Sequence, residues 1–401
     1  MAHTDTFCWQ EGAALFAGTI EIACPSSVEP QGFRTIPARH TLTTLSELGD
    51  ALVAKDSFCI TDKPLPQGCE TSAPDFFTLT GGSTGDPKVI HRTQASWIAS
   101  FEVNCATFEL PRLRALAVLG SLDHSLALYG VLEGLHTGMD VHVLNGLGTT
   151  QQHQLLRENR IGVLYATPTQ LWLLAREAAA PLPDIKVVFC GGGALDAATA
   201  RQVHRICPNA ALHRFYGAAE TSFITMTDKN VPQDSVGRPY PGVEIKLHEG
   251  ELWVRSPYLF KGYAAGHSPE TRWHEGYLSV GELGRIDDLG HLWITGRKSR
   301  LVNIADQLVS PEVVENHVMG QTHDTPCAAL PVADATRGQR LVLVLEGAED
   351  AARANAVKKS CRDRFGSLVA PRRVYFHPKL PLLSSGKVDL GQLSRWVEEQ
   401  E

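Results

Sequence analysis

The sequence predicts an α/β protein with a large layered N-terminal domain, a small β-subdomain and a small α+β C-terminal domain. Across residues 115–247, short β-rich apolar runs alternate with amphipathic segments, a pattern typical of parallel strands covered by helices. After Pro232 the apolar runs become shorter, and Gly, Asp and Pro separate them, as in antiparallel sheets. With 401 residues, the chain is long enough for one large core and a smaller second one.

The individual elements follow from the same patterns. In the layered domain we expect strands at 115–119, 141–144, 163–165 and 187–189, and helices at 149–159, 169–178 and 196–206. The subdomain strands are expected at 243–247, 251–254 and 292–294. In the C-terminal module, helices are expected at 310–318 and 351–364, and strands at 328–332 and 341–345. A charged stretch at 297–300 places the domains at 1–297 and 298–401.

Composition argues against several classes of protein. Hydrophobic residues make up 43% and charged residues 20% of the chain, as in ordinary globular proteins. The net charge of -7 and the lack of any basic run argue against a nucleic-acid partner. The N-terminus lacks a signal-peptide pattern, and no apolar stretch reaches the length of a membrane span. The nine cysteines contain no Cys-x-x-Cys pair, so we expect reduced thiols in a cytoplasmic protein.

A phosphate-binding loop is predicted at residues 79–88, which read Leu-Thr-Gly-Gly-Ser-Thr-Gly-Asp-Pro-Lys. Glycines allow backbone N–H groups to approach an anion closely, hydroxyl groups add donors, and a lysine adds positive charge. The loop differs from that of P-loop nucleotide hydrolases, because Pro87 precedes Lys88 and no Gly-Lys-Ser/Thr follows.

This loop resembles the signature loop of the adenylate-forming superfamily, which contains acyl-CoA synthetases, aryl-acid ligases, nonribosomal peptide synthetase adenylation domains and luciferases. Four further segments match the superfamily in order and spacing: 216–221 (Tyr-Gly-Ala-Ala-Glu-Thr), 276–284, 296–297 (Gly-Arg) and 381–389, which contains Gly386-Lys387. Because the five segments occur in the family's order, the resemblance is specific. It covers residues 76–390.

The resemblance implies an ATP site built on these segments. The residues implied to contact the nucleotide are Thr80, Gly81, Gly82, Ser83, Thr84, Gly85, Lys88, Tyr216, Gly217, Ala218, Thr221, Glu282 and Arg297. Glu220 takes the position of the family's Mg²⁺-binding glutamate, and Lys387 that of the lysine that stabilises charge in the transition state. Glu282 replaces a ribose-binding aspartate and keeps two acceptor oxygens on a longer side chain. Taken alone, Glu220 could equally be a carboxylate at a helix N-terminus. Arg297 could be a solvated linker charge, although its place directly after Trp293-Ile294-Thr295 and Gly296 favours a role at the nucleotide.

The acid-binding pocket is predicted from two segments. The turn Gly191-Gly192-Gly193 resembles the family's pocket floor of small residues, and His124-Ser125 resembles a segment in which a catalytic-site histidine lies beside the acid. Amino-acid-activating relatives place an aspartate at the position of Ser125, so a substrate ammonium group would lack its counter-ion here. Asp123 could supply that charge if the alignment shifts by two residues. His124 could alternatively be a core histidine with satisfied hydrogen bonds.

The implied reaction is ATP- and Mg²⁺-dependent adenylation of a small carboxylic acid, followed by transfer to the phosphopantetheine thiol of CoA or an acyl carrier protein. We expect an aryl acid ahead of a medium-chain acyl group, and both ahead of an amino acid. The resemblance also implies that the C-terminal domain is mobile about residues 297–300.

Two departures from the family leave alternatives open. The phosphate loop begins near residue 80, so the preceding part is shorter than the family norm. Ala305-Asp306 replaces a glycine-bearing turn that approaches the pantetheine thiol in relatives, so adenylation is better supported than thioester formation. The alternatives are a free-standing amino-acid adenylation domain, which would use Asp123, and a non-catalytic nucleotide-binding or carrier-docking protein.

Overall fold

The computed structural model describes residues 5–66, 74–80, 88–228, 230–232, 234–322, 325–382 and 388–401. The helices are α1 Thr41–Ala54, α2 Gln94–Phe108, α3 Ser125–Thr137, α4 Thr149–Glu158, α5 Pro168–Glu177, α6 Ala197–Ile206, α7 Pro311–Gln321, α8 Ala351–Val369 and α9 Leu390–Glu398. Within the described part of the chain, no helix is both long enough and apolar enough to cross a membrane.

The strands, in chain order, are β1 Leu15–Ala17, β2 Ile20–Ile22, β3 Phe33–Ile36, β4 Ser57–Ile60, β5 Asp75–Thr80, β6 Lys88–Thr93, β7 Ala115–Val118, β8 Asp140–Val143, β9 Val163–Ala166, β10 Val187–Cys190, β11 Ala211–Ala218, β12 Ser222–Met226, β13 Arg238–Pro239, β14 Glu244–His248, β15 Glu251–Arg255, β16 Gly262–Ala265, β17 Arg272–His274, β18 Tyr277–Ser279, β19 Glu282–Ile286, β20 Leu292–Arg297, β21 Val302–Ile304, β22 Gln307–Val309, β23 Cys327–Asp334, β24 Gly338–Glu346 and β25 Arg373–His377.

The predicted layered domain is confirmed. Its main sheet has the order β13-β12-β11-β10-β9-β7-β8-β1-β2, and the pairs from β11 through β1 are parallel. Alternate residues of the buried strands face opposite layers, as the period of two requires. On β9, Val163 and Tyr165 join the core under α2 and α3, whereas Leu164 and Ala166 join the core under α4, α5 and α6.

A second sheet of order β16-β6-β5-β4-β3 was not predicted. It is mixed, because β3, β4 and β5 are parallel while β5, β6 and β16 are antiparallel. The strand β16 is supplied by a segment more than 150 residues after β6 along the chain. Local periodicity carries no signal for a pairing of such long range, which explains why sequence patterns did not reveal this sheet.

The predicted antiparallel subdomain is also confirmed. Its sheet has the order β17-β18-β15-β19-β20, with β14 paired to β15. The strands predicted at 243–247, 251–254 and 292–294 correspond to β14, β15 and β20.

The C-terminal module is the expected compact α+β unit with its own core. Helices α7 and α8 pack on one face of its sheet β23-β24-β25, where Val314 and Val357 join the core. Helix α9 packs on the other face, where Leu393 is buried. Helix α8 continues past the predicted end at residue 364 to Val369, but Gly366 within it has φ 79°, so the regular helix is broken there. These two hydrophobic clusters contain only residues from Val302 onward.

Candidate functional site

The phosphate-loop segment joins two neighbouring antiparallel strands. Strand β5 ends at Thr80 and β6 begins at Lys88, and these two residues are paired across the sheet. The predicted contacts Gly81, Gly82, Ser83, Thr84 and Gly85 lie outside the described residues, as does Lys387. The structure therefore describes the two ends of the predicted loop.

Tyr263 links the predicted phosphate lysine to the predicted metal carboxylate. The Lys88 ammonium lies 5.6 Å from the centre of the Tyr263 ring. At the other end of the side chain, the Tyr263 hydroxyl donates to Glu220 Oε1 at 2.6 Å and lies 2.8 Å from Thr271 Oγ1. Burial and the neighbouring Glu220 charge raise the pKa of Tyr263 above its ordinary range. Sequence patterns missed Tyr263, because only the pairing of β16 with β6 brings it to this place.

Glu220 lies in a tight turn between β11 and β12, so the alternative of a helix N-terminus is wrong. The turn is closed by Thr221, whose hydroxyl accepts the backbone N–H of Ala218 at 2.9 Å. Gly217 is required there, since a methyl group at that position would overlap the carbonyl oxygen of Ser222. The predicted residues of this motif therefore form one compact turn that presents the Glu220 carboxylate.

A buried arginine, Arg92, is hydrogen-bonded to the backbone of the same turn. Its side chain is 1% exposed; Nη1 donates to the carbonyl of Tyr258 at 2.7 Å, and Nη2 donates to the carbonyl of Ala219. Burial lowers the pKa of Arg92 to about 9, although the Glu220 charge acts in the opposite direction. Sequence analysis did not single out Arg92, and an arginine within a strand gives no local sign that it is buried.

Three residues predicted to surround the adenosine lie together. Glu282 and Arg297 are paired across β19 and β20, and Arg297 Nη2 lies 3.0 Å from Glu282 Oε1. Burial, followed by the Glu282 carboxylate, raises the pKa of Tyr216. Burial alone would lower the pKa of Arg297, but Glu282, Tyr216 and Glu312 together raise it. Arg297 is thus held in an ion pair with a buried carboxylate, and the alternative of a purely solvated linker charge is wrong.

The predicted acid-pocket residues follow the carboxyl ends of neighbouring parallel strands. His124 and Ser125 come after β7, and Gly191, Gly192 and Gly193 come after β10, with β9 between the two strands. In open α/β sheets, this edge is where ligands bind. Helix α3 begins at Ser125, and His124 precedes it as an exposed residue, so the alternative of a core histidine is wrong.

Gly191 is buried because an aromatic ring occupies the space beside it. A methyl group at Gly191 would overlap the ring of Phe215, and one at Gly193 would lie 3.6 Å from Pro168. Gly192 has φ 86°, a left-handed conformation that favours glycine. Near His124, the Asp123 Oδ1 atom is buried and has no hydrogen-bond partner among the described residues.

The predicted domain boundary at residues 297–300 contains Ser299. On its N-terminal side, Lys298 Nζ lies 3.2 Å from Glu251 Oε2 in the β-subdomain. On its C-terminal side, Arg300 Nη2 lies 2.7 Å from Glu315 Oε1 on α7. The side chains of Lys298 and Arg300, with one residue between them, are therefore paired with carboxylates on opposite sides of the predicted boundary.

The turn at Ala305-Asp306 connects β21 and β22 with two residues of positive φ, 49° and 66°. The backbone N–H of Ala305 donates to the carbonyl of Arg337 at 3.1 Å. Such turns favour Asn and Gly, so this pair adopts a conformation that its residue types disfavour.

Comparison with known proteins agrees with this geometry. Residues 27–264 match the family model described as AMP-binding enzyme, and residues 310–387 match the AMP-binding enzyme C-terminal domain. The chain is 28% identical over 350 residues to the uncharacterized acyl-CoA ligase YhfT of Bacillus subtilis, covering 84% of this chain and 71% of the relative. It is 28% identical over 378 residues to triostin synthetase I of Streptomyces triostinicus, covering 88% of this chain and 70% of the relative.

Solved structures show the same fold. O-succinylbenzoate coenzyme A synthetase (MenE) from Bacillus subtilis, in complex with AMP, matches with a TM-score of 0.78 and 17% identity, over 96% of this chain and 95% of the other. The amide bond synthetase McbA from Marinactinospora thermotolerans matches with a TM-score of 0.70 and 21% identity, over 91% and 80%. The chain therefore belongs to the AMP-binding enzyme family of the adenylate-forming superfamily, as an AMP-forming ligase that uses ATP and Mg²⁺ and has a large N-terminal and a small C-terminal domain.

Proposed function

We propose that this enzyme joins a small carboxylic acid, with an aryl acid preferred, to the phosphopantetheine thiol of CoA or an acyl carrier protein. In the first step, a carboxylate oxygen attacks the α-phosphorus of ATP, and pyrophosphate leaves. In the second step, the thiol sulfur attacks the acyl carbon, AMP leaves and the thiol proton passes to solvent. Catalysis by such an enzyme rests on positioning and charge neutralisation.

The observation that carries the proposal is the Lys88–Tyr263–Glu220 arrangement. It brings a cation and a carboxylate beside the predicted phosphate loop. Mg²⁺ is commonly bound by one or two carboxylates together with substrate phosphates, so the oriented Glu220 side chain fits this ion. In the proposal, Lys88 and the loop hydroxyls bind the β- and γ-phosphates, and Lys387 neutralises charge in the transition state.

The ribose is proposed to bind at the Glu282–Arg297 pair. Glu282 is 6% exposed and fixed by Arg297, so its acceptor atoms are held in place before the nucleotide arrives. Such preorganisation lowers the cost of ordering the site when ligand binds. The extra methylene of glutamate, relative to the family's aspartate, changes the reach of the carboxylate towards the sugar.

The substrate class is proposed from the residues beside α3. Ser125 offers no negative charge to a substrate ammonium group, and burying an unpaired cation is costly. An uncharged acid tail avoids this cost. Asp123, with its buried Oδ1, is the residue that would have to turn towards the pocket if the substrate were an amino acid.

A pyrophosphate-exchange panel of benzoates, fatty acids and amino acids tests the proposal. We expect exchange with hydroxylated benzoates first, then medium-chain acids, and none with amino acids. Exchange with an amino acid, and none with benzoates or fatty acids, would contradict the substrate class and point to Asp123 as the counter-ion. Coupled release of CoA thioester in the same reactions tests the second step.

Replacing the predicted transition-state lysine gives an independent test. Lys387→Ala should lower the exchange rate by about 10²–10³-fold, because a charge-stabilising contact is lost. The matched control is Lys379→Ala, which removes an exposed lysine eight positions earlier in the chain. A Lys387→Ala enzyme with the wild-type exchange rate would show that this lysine does not serve adenylation.

A further inference from the structure

The space beyond the glycine turn is filled by a continuous series of aromatic rings. The Phe215 ring lies against Gly191, and its centre is 4.8 Å from that of Phe223. Phe223 is 5.2 Å from Tyr129, which is 5.9 Å from Tyr165. We call these four aromatic residues the ring wall. They connect the glycine turn to the interior face of α3 without a break in ring contact.

Hydrogen bonds fix two members of the ring wall. The Tyr129 hydroxyl lies 2.7 Å from Ser100 Oγ and accepts from Asn104 Nδ2 at 3.2 Å. The Tyr165 hydroxyl donates to Glu133 Oε2 at 2.5 Å, and Asn104 Nδ2 also donates to Glu133 Oε1 at 2.7 Å. All these groups are buried, so moving either tyrosine would leave polar atoms unpaired. The wall is therefore rigid at its tyrosine end.

The ring wall lies on the elements that carry the proposed pocket. Tyr129 is four residues after Ser125 and thus on the same side of α3. Phe215 directly precedes Tyr216 on β11, and Tyr165 is on β9, which lies between the strands that lead to His124 and to the glycine turn. A substrate tail extending from these residues into the domain would meet the wall.

We infer that the ring wall restricts the acid site to short acids, a single aromatic ring or a short acyl chain, and excludes long-chain fatty acids. The inference rests on the proposed function and narrows its substrate class. A long chain would have to displace at least one ring from a close-packed interior, and such interiors resist displacement strongly. A planar acid of one ring needs no such displacement.

The wild-type enzyme provides the first test. Pyrophosphate exchange is measured with benzoate, butyrate, octanoate and palmitate, and binding of the corresponding acyl-sulfamoyl adenosine analogues by calorimetry. We expect exchange and binding with the short acids and at least about tenfold less with palmitate. Equal use of palmitate overturns the inference but leaves adenylation intact. Tight binding of short analogues with no exchange on any acid overturns the proposed function and supports the size limit.

Two variants then test the ring wall itself. Phe215→Leu and Phe223→Leu should each raise the octanoate-to-benzoate ratio of exchange rates by about tenfold, because a smaller side chain leaves room for added methylenes. The control is Phe58→Leu, which changes a buried ring of the same core that lies on β4 and contacts the rings of Phe7 and Phe76. An unchanged ratio in both folded wall variants, or an equal change in the control, overturns the inference.

Discussion

Tyr263 is the residue whose position most changes the interpretation of the site. It contacts Lys88 through its ring and Glu220 through its hydroxyl, so it can hold the relative positions of the proposed phosphate-binding lysine and the proposed metal-binding carboxylate. A carboxylate that accepts a hydrogen bond loses rotational freedom and is better placed for a metal ion. The two residues proposed to bind phosphate and metal are thus both contacted by a neutral side chain that no sequence motif indicated.

Removing the Tyr263 hydroxyl should therefore affect the metal more than the fold. We expect Tyr263→Phe to lower Mg²⁺ affinity by about 10–100-fold, with little change in the acid KM, because the hydrogen bond that orients Glu220 is lost. The apparent Mg²⁺ affinity is obtained from pyrophosphate-exchange rates measured over a range of Mg²⁺ concentrations. The matched control is Tyr375→Phe, which removes a hydroxyl bonded to Glu401 at 2.7 Å in the C-terminal domain. An unchanged Mg²⁺ dependence would exclude this role for Tyr263.

At the same scale, the buried Glu133 carboxyl predicts that the stability of the fold depends on pH. Burial raises its pKa from 4.5 to about 7, while hydrogen bonds from Tyr165, Asn104 and Tyr129 oppose the rise. Between pH 4.5 and about 7, the folded state therefore keeps the Glu133 proton, whereas the unfolded chain has already released it. Over this range the free energy of unfolding should fall as pH rises, by on the order of 3 kcal/mol.

Glu133→Gln tests this prediction, because an amide keeps the shape but does not titrate. Urea unfolding at several pH values should show the fall in the wild type and a flatter profile in the variant. An identical slope in both proteins would assign the pH dependence to other groups.

At the scale of single elements, the hairpin β21–β22 has a turn that its residues disfavour. Ala305 and Asp306 both have positive φ, which costs non-glycine residues about 1 kcal/mol each. The hairpin β14–β15 has the same two-residue geometry, with Glu249-Gly250 at φ 50° and 78°. The two hairpins therefore differ in whether glycine occupies the second turn position.

This difference predicts opposite effects of exchanging the residues. Asp306→Gly should stabilise the C-terminal domain by about 0.5–1 kcal/mol, and Gly250→Asp should destabilise the N-terminal domain by a similar amount. Thermal unfolding followed for each variant measures both. If Asp306→Gly lowers the melting temperature, the Asp306 side chain contributes something that the turn geometry does not reveal.

At the scale of the whole molecule, the predicted boundary between the large and the small domain spans only residues 297–300. Lys298 is paired with Glu251 in the β-subdomain and Arg300 with Glu315 on α7, so Ser299 lies between two residues whose side chains bind opposite sides of the predicted boundary. We propose that the C-terminal domain rotates about this point, so that Lys387 and the Ala305-Asp306 turn face the active site in alternate steps.

Ser299→Pro should then slow one half-reaction more than the other, because proline fixes φ near one value. Pyrophosphate exchange reports the first half-reaction, and CoA thioester release from preformed adenylate reports the second. The matched control is Ser27→Pro, which makes the same substitution at an exposed position between β2 and β3 of the N-terminal domain. If the substitution slows both steps equally, or slows neither, the hinge does not lie at Ser299.

Local sequence patterns were enough to predict the class of fold and the order of the motifs. The strands β7 to β10 and helices α4 to α6 were predicted to within a few residues, because apolar periodicity and turn residues are local properties. The pairing of Glu282 with Arg297 and the turn at Glu220 use residues that the motifs had already named.

The tertiary structure decided the second sheet, the position of Tyr263, the burial of Arg92 and the ring wall. Each of these depends on contacts between residues far apart in the chain, such as Tyr263 with Lys88 and Phe223 with Tyr129. Strand pairing and side-chain packing of this kind depend on how all the buried surfaces fit together in the folded domain. Local sequence patterns do not encode such long-range contacts. For this reason the sequence indicated the chemistry, whereas the proposed size limit of the acid site rests on the packed interior.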